Sequence, residues 1–201
     1  MEVLQGVFIG FVGAVLGLAL KQVLTLALLN SAVRTEAKGA RKQIGALEPG
    51  MRNAVTAAHA LRDTILDGKT ADFALVTALP AGWVVTPPRV EVVGYSERLD
   101  ATQAYAISTY IDRWNQFSEY ERRYRANLES LLDSLENRPE TPIKVKELAV
   151  RVCSDAEQIH LAALKLTAAS TKFAQGDISC LSEAETERVY ASADRANTGA
   201  S

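Results

Sequence analysis

The chain has 201 residues, 48% of them hydrophobic and 23% charged, enough for one folded domain plus an appendage and too few for an enzyme with separate cofactor and substrate lobes. A total of 22 Lys and Arg against 24 Asp and Glu gives a net charge of -2, which excludes a disordered polyelectrolyte and an overall nucleic-acid-binding charge balance. Two cysteines, Cys153 and Cys180, exclude a dense disulfide framework, and two histidines, His59 and His160, leave little material for an all-protein zinc site.

Residues Val3 to Leu20 carry one polar side chain, Gln5, and no charge. At 1.5 Å rise per residue, eighteen such positions span about 27 Å, close to a bilayer hydrocarbon core. The pattern predicts a transmembrane anchor over residues 1–29, with Lys21 snorkelling to the interface before the apolar character resumes through Leu29. No positive region precedes the apolar run, so the expectation is an uncleaved anchor rather than a signal peptide. Lys21, Arg34, Lys38, Arg41 and Lys42 all follow the span, which by the positive-inside rule places a short N-terminus outside and the bulk of the chain in the cytoplasm of a bacterial-type inner membrane. Within the span, Gly6, Gly10, Gly13 and Gly17 recur at spacings of four, three and four, and at roughly 100° per residue fall in a sector of about 60°. Two of these pairs are GxxxG, a face that lets a second helix backbone approach closely.

Residues 30–50 turn alanine-rich and charged, predicting a juxtamembrane helical stalk that Glu48-Pro49-Gly50 stops. Met51, Ala54, Ala58, Leu61 and Ile65 then predict a helix over about 51–66. Residues 70–96 hold Pro80, Gly82, Pro87 and Pro88 and read as an irregular packed cap over the bundle end, with a possible short helix before Pro80 and Trp83 as the anchor.

Ser96 is placed as the N-cap of a long helix over 97–136, whose series Ile107, Tyr110, Trp114, Phe117, Tyr124, Leu128, Leu131 and Leu135 keeps heptad phase apart from Glu121. After a turn at 137–140, Thr141 and Pro142 open a second long helix over 143–174, closed by Gly176 as a C′ glycine. Two long helices joined by a short turn form an antiparallel hairpin, which with the 51–66 helix gives a bundle over 51–176. The tail, 177–201, contains the capping box Ser182-Glu-Ala-Glu185 and a predicted short helix over 183–193. The expected fold is therefore all-α, a single N-terminal transmembrane helix followed by a cytoplasmic antiparallel helical bundle dominated by a long hairpin.

Chemistry-bearing motifs are sparse. Glu157 and His160 have the Glu-x-x-His spacing of di-iron bundles, but those sites need the motif twice, and His59 has Thr56 three positions before it. Both histidines read as helix-flank residues, with no other ligand at sequence spacing around His59. Arg122, Arg123 and Arg125 lie among Glu119, Glu121 and Glu129, which reads as an ion-paired face, with a partner face for an acidic protein as the sharper alternative. The aromatic run from Tyr105 to Tyr124 reads as core. No Walker loop, GxGxxG, nucleophile elbow, HExxH or CxxC occurs, so no enzymatic activity, cofactor or metal is expected.

The function these features imply is association. The expectation is a non-catalytic accessory subunit or scaffold of a membrane complex, contacting the lipid bilayer, another transmembrane helix (its own copy or a different subunit) and a cytoplasmic protein, but no nucleic acid. The alternative class is a homo-oligomeric membrane-perturbing protein of the phage-lysis or defence-effector type. A third reading, a buried core helix of a soluble protein, would need a larger core than one small bundle offers.

Overall fold

The computed structural model of the chain describes residues 2–69, 73–87, 99–136 and 142–198, with the side chains at 2–16, 22, 25, 26, 29, 73, 196 and 197 outside that description. Five helices and no strands make up the described residues: α1 (Glu2–Leu66), α2 (Phe73–Thr77), α3 (Ala101–Glu136), α4 (Pro142–Gln175) and α5 (Glu183–Thr198). The fold is all-α and bundled, as the periodicity indicates.

The helix stop expected at Glu48-Pro49-Gly50 does not occur. α1 runs through Pro49 as one element of 65 residues. Pro49 supplies no N–H to the Gly45 carbonyl, a local cost that ordinarily ends a helix. The chain continues because Ile44, Met51, Ala54, Val55 and Ala58, on both sides of the proline, are buried in the same core. Packing against the rest of the bundle outweighs the single missing hydrogen bond, and Pro49 itself is exposed. The stalk over 30–50 and the helix over 51–66 are thus one rod, whose buried positions Val33, Ala37, Ala40, Ile44, Met51, Ala54, Ala58, Leu61 and Ile65 repeat at three, four and seven residues.

α4 is the central helix. It runs antiparallel to α1, since Arg34 meets Gly176, Glu48 meets His160, and Lys146 donates to the Leu66 carbonyl. It also runs antiparallel to α3, since Tyr110 pairs with Ser170 and Arg123 with Asp155. Packed on two sides, α4 buries a wide arc that takes in Ala149, Cys153, Ile159, Leu166 and Ala169. On α3, Tyr110, Trp114, Phe117 and Tyr124 are buried while Tyr105 is exposed. The Tyr110 ring lies 4.8 Å from Phe173 and edge-on to Trp114, so the aromatic stripe is core.

The segment after α2 fills the groove between α1 and α3. Trp83 is buried, its ring 5.1 Å from Tyr124. The Tyr124 hydroxyl donates to the Pro80 carbonyl, and the Trp83 N–H donates to Glu121. Gly50 leaves the indole nitrogen 3.9 Å from where a Cβ would stand, and the Gln43 carboxamide pairs with the Thr86 peptide in the orientation that satisfies both of its atoms. Trp83 is the anchor, but it sits against the middle of the bundle and not over its end.

Local rules explain the helix termini. Asp100, not Ser96, caps α3, its carboxylate accepting the Gln103 N–H at 2.7 Å, while Ser96 and Thr141 lie outside the described residues. Gly176 ends α4 at φ 87° with the paired bonds of a Schellman motif, Asp177 N to Lys172 O and Gly176 N to Phe173 O. The Ser182 and Glu185 capping box is reciprocal: each backbone N–H donates to the other's side chain. Those bonds, together with Lys172, hold the Glu185 carboxyl down at about 2. α5 continues to Thr198, past the expected end.

Among the described residues no helix is long and apolar enough to cross a membrane. The side chains at Gly6, Gly10 and Gly13 and most of the charge-free run lie outside the described residues; Gly17 has no atom within 4 Å of a Cβ position.

Candidate functional site

The polar side chains that α1 and α4 turn toward each other form a seam through the centre of the bundle. Glu48 lies one residue before Pro49, and its Oε1 is 3.0 Å from His160 Nε2 and 2.7 Å from Arg52 Nη2. His160 is only 1% exposed, so it is a buried, partnered residue and not a solvated flank. Burial works to raise the Glu48 carboxyl, but the hydrogen bonds and charges of His160 and Arg52 outweigh it and hold the group below 4.5. A carboxyl lowered in the folded state contributes stability that is present above its unfolded value and lost as pH falls through its folded one. Glu48→Gln should therefore cost about 1 kcal/mol at neutral pH. The gap to the parent should close as the medium is acidified below 4.5. Urea denaturation across a pH series checks this, and a gap that stays constant into the acid range would remove Glu48 from the account.

Three turns further along α1, His59 faces Cys153 and Glu157 of α4. One ligand atom from each of the three lies within 4.8 Å of the others. His59 Nε2 is 2.7 Å from Glu157 Oε1, and Cys153 Sγ is 3.9 Å from the same oxygen. Proximity and hydrogen bonding part company here, because the buried His59 Nε2 has no hydrogen bond of acceptable direction. The two atoms sit side by side, and no N–H points at the carboxylate. Arg62 reaches the sulfur from α1, its Nη1 3.5 Å from Sγ, and is held in turn by Asp63. Burial pushes the Cys153 thiol up to about 11 despite Arg62. Cysteine and glutamate one turn apart on α4 share a face. The histidine comes from 94 residues earlier in the chain (153 − 59), which is why spacing around His59 in the sequence reveals nothing.

Between α3 and α4 lies a third polar group. Asp155 is 1% exposed, and its carboxylate accepts from Arg123 at 2.6 Å and Asn127 at 2.7 Å. The arginine cluster is thus engaged within the chain: Arg122 with Glu119, Arg125 with Glu121, and Arg123 with a buried partner that sequence neighbours do not suggest. Arg123→Ala should destabilise the bundle by about 2 kcal/mol, toward the low side of a broken buried pair because Arg123 is half exposed and Asn127 remains. Thermal unfolding measures it, and a loss under about 0.5 kcal/mol, the size of an exposed pair, would sink the assignment.

Of the basic residues at the head of the stalk, Arg34 packs its guanidinium against the C-terminal end of α4 at Gly176, where the helix dipole favours a cation. Lys38, Arg41 and Lys42 are exposed. A surface hollow of about 400 Å³ lies beside this part of α1 and is lined by Thr35, Glu36, Gly39, Gln43 and Thr86.

No family model matches this chain, and no curated protein and no solved structure matches it.

Proposed function

We propose that this protein is a non-catalytic, single-pass membrane-anchored subunit or scaffold, in which the start of α1 crosses the bilayer and the helical bundle is carried beneath it on the cytoplasmic side. The observation that carries the reading is the surface of α1 ahead of the bundle. Leu18, Leu20, Val23, Leu24 and Leu28 are each more than half exposed, and among the described side chains the first buried one is Val33. Nothing in the described chain covers this apolar sleeve, which continues the charge-free run from Val3. Exposed apolar surface on all sides of a helix is costly in water and costs nothing among lipid tails. Because α1 is unbroken, the same rod that spans would also form one wall of the bundle.

Helix phase supports association through the glycines. At about 100° per residue, Gly6, Gly10, Gly13 and Gly17 centre about 180° around α1 from the Val33 to Ile44 stripe that packs on α4. The glycine face is therefore turned away from the chain's own bundle and suits a helix from another chain.

Alkaline carbonate extraction of membranes tests the anchor: retention of the full chain in the pellet is expected. Release into the supernatant would overturn the reading.

A further inference from the structure

We infer that His59, Cys153 and Glu157 form a transition-metal site that ties α1 to α4. The donors are one imidazole nitrogen, one thiolate and one carboxylate oxygen, the set from which zinc sites are built, and the sulfur disfavours magnesium and calcium. Their spacing fits a single ion. Ligand atoms around a tetrahedral zinc sit about 3.3–3.8 Å apart, given bond lengths of about 2.0–2.3 Å. The three atoms here are within 4.8 Å of one another, with the His59 and Glu157 atoms at 2.7 Å, so admitting an ion takes side-chain shifts of about 1 Å in which that pair opens and the sulfur closes in. Two of the three donors, His59 and Cys153, have a local reason to take a metal. His59 Nε2 is buried beside a carboxylate without a directed hydrogen bond, an arrangement that a shared cation satisfies. Cys153 is a buried thiol with Arg62 as a cationic neighbour, and a bound divalent ion supplies the charge that makes its thiolate stable there.

The surroundings complete the site. Arg62 lies on the outer side of the sulfur as a hydrogen-bond donor to the thiolate, and Asp63 fixes Arg62 in place. Two anionic ligands balance a divalent ion, with Arg62 and Asp63 cancelling each other outside them. His59 and Glu157 remain about one-third exposed, so the ion has an entry path and a fourth position for water. Binding releases the thiol proton to solvent and involves no redox step. His160, although three residues from Glu157, is turned to Glu48 and is not a ligand.

The test uses the full chain, purified in mild detergent without a histidine tag and stripped with a chelator. Titration with cobalt(II) should give saturable binding at one equivalent, with a near-ultraviolet thiolate-to-cobalt charge-transfer band that one equivalent of zinc abolishes. Cys153→Ser and His59→Ala should each weaken zinc binding, read by competition with a chromophoric chelator, at least about a hundredfold. Cys180→Ser and His160→Gln should leave the band in place. The partly exposed position of His59 keeps the test decisive should the buried Cys153→Ser variant fail to fold. Absence of saturable binding, a band that survives His59→Ala in a folded variant, or one lost with Cys180→Ser would each overturn the site.

Discussion

Replacing Gly10 and Gly13 together by Leu is expected to abolish association of the full chain through its first helix while leaving membrane insertion intact. These two glycines stand at the centre of the series from Gly6 to Gly17. Helices that meet over small residues approach more closely than the usual 8–10 Å axial separation, and two leucines would hold the backbones at that separation or beyond. The packing contacts along the whole face would then be lost together. Insertion has no reason to suffer, because leucine is both a better helix former than glycine and more favourable in the hydrocarbon core. The check is the native mass of the complex extracted in mild detergent, with co-migrating chains identified, beside the pellet fraction after alkaline extraction. An unchanged native mass for the double variant would eliminate the glycine face as the contact. A multiple of the 21.7 kDa chain alone in the parent would assign the contact to a second copy, and a mixed complex to a different subunit.

Trp114→Ala should produce the largest loss of stability of any single change in the bundle, about 3–5 kcal/mol. The indole is 1% exposed and lies edge-on to both Tyr110 and Phe117, at the level where α3 packs on α4. Removing it opens a cavity bounded by helices that are pinned on either side, by the Tyr110 hydroxyl on Ser170 and by Arg123 on Asp155, so the walls cannot collapse fully. For a chain of this length each kcal/mol lowers Tm by about 2–4 °C, which makes the shift easy to read. Trp114→Phe should cost only a fraction as much, because the buried indole nitrogen has no hydrogen-bond partner to lose. If the alanine and phenylalanine variants unfold at the same temperature, the ring packing is not what holds α3 in place.

Much of the hairpin was legible without coordinates. The apolar series on α3 and α4 and the glycine after Gln175 depend on residues within one or two helical turns of each other, the range over which periodicity and capping operate, while the turn expected at 137–140 lies outside the described residues. The Ser182 and Glu185 box was readable for the same reason, since both its hydrogen bonds close within four residues. Pro49 was misread because the local rule is correct and locally complete: a proline costs a helix one hydrogen bond and a steric clash. What overrides it is apolar packing of Ile44 and Met51 on a helix that begins almost a hundred residues later.

The sequence by itself determined that the fold is all-α, which helices pair as a hairpin, and that the chain's first thirty residues include a charge-free run with glycines on one side. Those properties follow from the order of neighbouring side chains along a regular repeat. Only the tertiary structure decided that α1 is one rod, that Asp155 and His160 are buried and partnered, and that His59, Cys153 and Glu157 converge. Glu48 and His160 are 112 residues apart, and Arg62 and Cys153 are 91. Which polar groups meet across such distances is set by the crossing of packed helices, and burial then fixes what each charge costs and what partner it requires.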